Sequence, residues 1–153
     1  MNRLPSVIVA LFSSVLFVSI VATGQDKFVD GPGKPELLKV CGGCHDAEIV
    51  LANLKTPAEW TETLQNMAQQ GAEATPAEWG SIEKYLDANL ALIAINKAPA
   101  EELQLTMDVS SDVAGAVVKQ RREHGPFKSV DDVKKVAGID AAKVEARSKR
   151  FVF

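Results

Sequence analysis

Apolar positions along the chain fall into four patterns. Val7 to Ala22 is an almost unbroken apolar or small run, preceded by Arg3 and followed by a polar stretch from Gln25. A positive start, an apolar centre and the small residues Ala22 and Gly24 describe a signal peptide over 1–24, with a retained membrane anchor as the alternative. Residues 25–34 are polar and rich in Gly and Pro, which predicts a linker. Pro35 to Val40 then reads as a short amphipathic helix. Thr56-Pro57-Ala58-Glu59-Trp60 and Thr75-Pro76-Ala77-Glu78-Trp79 are two copies of one helix start. Each has a threonine cap, proline at the first helical position and a glutamate that completes a capping box. Trp60, Leu64 and Met67 share one face of the first helix, which should end near Gly71. Trp79, Ile82, Leu86 and Leu90 form a similar stripe on the second, with Tyr85 beside it. Residues 35–94 are therefore expected to be a unit of three helices.

From residue 95 to 153 the pattern changes. A short helix around Glu101-Glu102-Leu103 and a turn lead to a helix from Ser111 or Asp112 to about Glu123. Ala114, Val117, Val118 and Arg121 mark its inner edge, and Gly125-Pro126 stops it. Ser129 and Asp132 cap a short helix carrying Val130, Val133 and Val136. Gly138-Ile139 turns the chain, and Asp140 starts a last helix with Val144 inside. The fold class is all-α.

Charge divides the chain as the patterning does. The full 153 residues carry a formal net charge of −3. Residues 25–94 hold 5 basic and 11 acidic side chains, and residues 95–153 hold 11 basic and 9 acidic. Two small domains of opposite sign follow. An acidic first half could steer a basic redox partner.

The sharpest chemistry is Cys41-Gly42-Gly43-Cys44-His45, which contains the only two cysteines. C-x-x-C-H is the signature of covalent c-type haem attachment: two thiols add across the haem vinyls, and the following histidine binds iron through Nε2. Gly42 and Gly43 would let the porphyrin edge approach the backbone. A thioredoxin-like pair would need a βαβ context. A zinc site from Cys41, Cys44, His45 and His124 would need better-spaced ligands. One covalent haem c is the expected cofactor, and it agrees with export to the periplasm. Met67, 22 residues beyond His45 and on the Trp60 face, is the expected second axial ligand. His124, Met107 or an open site are the alternatives. Trp60 is expected to pack near the haem.

Residues 35–94 resemble a small class I-type monohaem cytochrome c, on Cys41, Cys44, His45 and Met67. The resemblance implies His45 below the iron and the methionine above it. Residues 95–153 resemble a tandem helix-hairpin-helix domain of the competence-protein (ComEA) type. The matching residues include Ile95-Asn96, Val117-Val118, Arg121, Gly125-Pro126-Phe127, Val130-Asp131-Asp132-Val133 and Gly138-Ile139. Family members that bind DNA use glycine-rich hairpins, whose free N–H groups hold a phosphate. Here Asp108, Ser110 and Asp140 stand where glycines are expected, and the carboxylates should both cap the helices and repel phosphate.

The expected function is therefore an exported electron carrier or haem subunit, with no catalytic constellation. Its partners would be protein redox partners such as a periplasmic dehydrogenase. Duplex DNA is not the expected partner, and a membrane is one only if the N-terminal segment is retained. The second reading is an exported DNA-binding protein whose haem is structural or redox-sensing. The third is a haem sensor with a vacant sixth site.

Overall fold

The computed structural model describes residues 27–153, so the expected signal peptide lies outside the described residues. The architecture is mostly helical, in agreement with the all-α expectation. Helix α1 (Lys34–Cys41) is followed by a single turn, α2 (Ile49–Ala52), then α3 (Pro57–Gln69) and α4 (Pro76–Leu90). Four helical segments stand where three were expected. The extra one arises because Ala47 and Val50 bury against the first core and fold the stretch after His45 into a turn.

Both capping boxes form. The Thr56 hydroxyl accepts from the Glu59 N–H, and the Glu59 carboxylate accepts from the Thr56 N–H at 2.8 Å. Thr75 and Glu78 repeat the arrangement at the start of α4. Each box satisfies two backbone donors that a helix start otherwise leaves open. Glu78 also receives the Lys39 ammonium at 2.7 Å, which ties α1 to the start of α4. Those bonds hold its carboxyl down at about 2, Lys39 contributing most.

The segment expected to be a linker is partly packed. Phe28 is buried in the first core, the Val29 carbonyl accepts from the Tyr85 hydroxyl at 2.7 Å, and Lys34 pairs with Asp30 at 2.7 Å. Apolar Phe28 decides this, since burying an aromatic ring outweighs the turn tendency of its neighbours.

Beyond α4 come a two-residue strand β1 (Ile93–Ala94), α5 (Ala100–Met107), α6 (Ser111–His124), α7 (Val130–Lys134) and α8 (Ala141–Ala146). A 3-10 turn over Ser148–Arg150 then leads into β2 (Phe151–Val152). The strands pair in parallel, Ile93 with Phe151 and Ala94 with Val152, so the end of the second unit returns to its beginning. Ile93 is fully buried in the second core, which therefore begins before residue 95. That core packs Leu103, Met107, Ala114, Val117, Val133 and Val144 from four helices. Asn96 fixes the loop after α6: its amide donates to the Phe127 carbonyl at 2.9 Å and accepts from the Phe127 N–H at 2.8 Å. Arg121 donates to the carbonyls of Ile95 and Ala98 at 2.7 and 2.8 Å, which explains an arginine on an inner helix edge.

Arg150 ties the two units together. Arg150 is buried, and its guanidinium donates to the carbonyls of Ala91, Ala88 and Asp87 at 2.7, 2.7 and 2.9 Å. These carbonyls lie at the end of α4, where no further turn supplies donors. Among the described residues no helix is long and apolar enough to cross a membrane.

Candidate functional site

Two regions concentrate chemistry. The first is a cavity of about 120 Å³ lined by Cys41, Cys44, His45, Leu64, Met67 and Trp79, among others. The end of α1 supplies Cys41, the following turn Cys44 and His45, α3 Leu64 and Met67, and α4 Trp79. The His45 Nδ1 stands 3.1 Å from the Asp46 carbonyl oxygen. A carbonyl only accepts, so Nδ1 carries the proton and Nε2 keeps its lone pair for a metal. Burial pushes the Cys41 thiol up, away from the low values of thioredoxin-like nucleophiles. Two thiols at one rim, an imidazole Nε2, a thioether and an aromatic wall form a donor set that fits a covalently held haem. The cavity is smaller than the roughly 300–1,000 Å³ of ordinary cofactor sites, so its walls would have to part to admit a porphyrin.

Other sequence-based candidates fall elsewhere. Met107 is buried in the second core, where Leu103 and Val117 surround the same space. His124 is exposed at the end of α6, beside Gly125, Phe127 and Lys128. Among the described residues no three His, Cys, Asp or Glu side chains gather as a metal site. Trp60 was expected beside the haem, but it is buried behind Lys55, and Trp79 lines the cavity instead. Both tryptophans end identical pentapeptides, and only the packing of α3 on α4 decides which faces the cysteines. Gly42 is also needed by the chain itself, because an added Cβ there would clash with the Leu38 carbonyl.

The second region is one end of the C-terminal unit, where two hairpins lie side by side. The first hairpin joins α5 to α6 through Asp108-Val109-Ser110, and the second runs from Val136 to Asp140 into α8. Gly138 has φ 82°, and a Cβ there would stand 2.9 Å from Val113 in the first turn of α6. A bare backbone is what lets the hairpins meet. Ser110 caps α6 by accepting from Val113 N–H, and Asp140 caps α8 by accepting from the N–H groups of Ala142 and Lys143.

Asp108 does not cap a helix as expected. It closes α5 in the left-handed conformation, and its carboxylate reaches Lys143 Nζ at 2.8 Å and Arg147 at 3.7 Å. Four cations lie close together in sequence near the chain's end, Lys143, Arg147, Lys149 and Arg150; the first two pair with Asp108, and Arg150 is spent on α4. Sequence reasoning missed this trio, because Asp108 and Lys143 are 35 residues apart.

This geometry agrees with what the chain is similar to. Residues 88–152 match the family described as the helix-hairpin-helix motif, so the C-terminal unit is a helix-hairpin-helix domain. The chain is 40% identical over 78 residues to ComE operon protein 1 of Bacillus subtilis (strain 168), covering 50% of this chain and 38% of that protein. It is 42% identical over 50 residues to endonuclease/exonuclease/phosphatase family domain-containing protein 1 of Rattus norvegicus, and equally to that of Homo sapiens. Those matches cover 33% of this chain and 9% of each relative, so the chain spans well under half the length of the curated relatives it matches. No solved structure matches it.

These matches correct two expectations. The chain was read as a cytochrome c whose business is electron transfer, with the hairpin unit as a protein-docking module. The helix-hairpin-helix match and the likeness to ComE operon protein 1 overturn that reading, and the matched residues 88–152 leave out Cys41 to His45. DNA was also set aside as a partner, and the same two matches reverse that judgement. The error came from counting carboxylates at the hairpins as if all were free, when Asp108 is paired and Asp140 is a cap.

Proposed function

We propose that this is an exported helix-hairpin-helix protein that binds DNA through the end carrying both hairpins. In this reading the N-terminal helices hold one covalent haem c in a structural or redox-sensing capacity. The observation that carries the DNA reading is the meeting of the two hairpins at Gly138 and Val113, inside the segment matched to the motif family. Phosphate is bound there by first-turn N–H groups of α6, which no helical carbonyl can use, and by Lys143 and Arg147, which stand beside Asp108. Among the described residues, Lys97, Arg122 and Lys128 form no ion pair, but they lie toward the far end of α6, where only a longer duplex would meet them. Such contacts are largely indifferent to base sequence.

Electrophoretic retardation of a short duplex by the full-length chain tests this. Retardation that fades as salt rises supports the reading, and no retardation at low salt removes it.

For the haem, support comes from the cavity that gathers Cys41, Cys44, His45 and Met67. Cys41 and Cys44 would tether the group, and His45 and Met67 would ligate its iron. When bound, it supplies one-electron redox chemistry and apolar mass to a small core. The spectrum of protein exported by cells able to attach haem c, compared with Met67→Ala, tests this part. Haem that survives denaturing electrophoresis, with a ligand band lost in the variant, supports it. A haem-free polypeptide returns Cys41 and Cys44 to thiol chemistry.

A further inference from the structure

Asp108 is the one non-glycine among the described residues with positive φ, at 54°. L-residues avoid this conformation, and a glycine would fit it without steric cost. An aspartate here therefore points to a use for its side chain. Capping is not that use, because Ser110 accepts the Val113 N–H and caps α6. The side chain reaches instead to the second hairpin. Lys143 Nζ is held by both the carboxylate and the backbone carbonyl of Asp108, at 2.8 and 3.3 Å. Arg147 approaches the same carboxylate oxygen at 3.7 Å. Arg147 also keeps a buried Nε–H without a partner, a spare donor beside the pair. Lys143 and Asp108 both remain about half exposed, at 47% and 59%, so water and ions reach them without unfolding.

We infer that Asp108 is an internal competitor for phosphate: its carboxylate occupies the Lys143 and Arg147 cations of the two-hairpin end and so limits how tightly the chain holds a nucleic-acid backbone. The inference rests on the DNA-binding reading and deepens it. A carboxylate and a phosphodiester each present negative oxygens to the same ammonium and guanidinium donors. The carboxylate is always present, and its pairing keeps it ionised, its carboxyl being held below the usual range chiefly by the Lys143 hydrogen bond. Exposed pairs of this kind are weak, so an arriving backbone with several contacts displaces this one at a modest cost. Binding is then weaker and less salt-sensitive than the cation count implies.

The test compares Asp108→Asn with Asp131→Asn in the full-length chain. Asparagine tolerates the left-handed conformation, and Asp108→Gly is the second variant should asparagine perturb the turn. Asp131 is exposed and paired with Lys134, so its replacement makes the same change in net charge away from the hairpins. The readout is the anisotropy of a labelled short duplex against salt. Freeing two cations should steepen the log–log salt slope by about 1.8, at 0.9 per phosphate, and tighten binding roughly ten-fold at about 50 mM salt. Asp131→Asn should change affinity less than about two-fold and leave the slope alone. Adding Lys143→Ala to Asp108→Asn should return the slope toward that of the unmodified chain. Equal effects of Asp108→Asn and Asp131→Asn would overturn the inference while leaving DNA binding intact. No binding by the unmodified chain or by Asp108→Asn at low salt would overturn the DNA reading and this inference with it.

Discussion

Replacing Arg150 with methionine should loosen the joint between the units more than any other single exposed or buried charge change. Methionine keeps most of the apolar stem and removes every donor. Three charge-assisted bonds are lost, to Ala91, Ala88 and Asp87. At the low end of about 1.5 kcal/mol each they sum to between 4 and 5 kcal/mol. Burial already disfavours the guanidinium, whose pKa is lowered to about 10, so removing it recovers part of the loss. The net expectation is a destabilisation of about 3 kcal/mol. For a chain of this size that is a fall in Tm of roughly 10 °C. Arg150→Lys should lose about two thirds as much, since one ammonium cannot span three carbonyls. Urea denaturation followed by circular dichroism measures both. Hydrogen exchange at the β1 amides should rise in parallel, because β2 follows Arg150 directly. A loss below about 1 kcal/mol would refute the reasoning, for it would mean that water caps the end of α4 equally well.

Three further outcomes rest on the packing of these two cores. Asp87 is buried with one carboxylate oxygen unpartnered, and burial, with Glu83 and Glu102 nearby, raises its pKa to about 6. Because the folded value lies above the unfolded one, its contribution is fully present below about pH 4 and is lost as pH rises through about 6. Asp87→Asn should therefore gain about 1–2 kcal/mol over the parent between pH 4 and 7.5 in paired urea titrations, and a pH-independent difference would contradict this. Thr56→Ala and Thr75→Ala each remove one half of a capping box and should cost about 1 kcal/mol by thermal denaturation, additively because the caps head different helices. Leu103→Ala should cost about 2–5 kcal/mol, since the side chain is fully buried in the second core, and a cost near zero would mean that this core is not closed.

Local rules were legible in the sequence and long-range ones were not. The repeated Thr-Pro-Ala-Glu-Trp starts, the Ser129 and Asp140 caps and the stop at Gly125 follow from a few adjacent residues, and all form. That Cys41, Cys44, His45 and Met67 could share a space was readable from helical spacing, and they line one cavity. Which tryptophan joins them was not readable, because helical periodicity gives each helix a face but no crossing angle. The role of Arg150 was not legible, since the carbonyls it holds lie about 60 residues earlier. Asp108 was misread for the same reason: local chemistry makes an aspartate in a hairpin a cap, and only the tertiary approach of Lys143 makes it a partner. The functional misjudgement followed from that local reading of charge.

The central claim is that the hairpin end binds DNA. The most direct measurement is the anisotropy of a labelled short duplex titrated with the full-length chain across about 50 to 200 mM salt. If the cations of that end meet phosphates, log affinity should fall linearly with log salt, by about 0.9 in slope for each phosphate met. No change in anisotropy at the lowest salt, or binding indifferent to salt, would contradict the account.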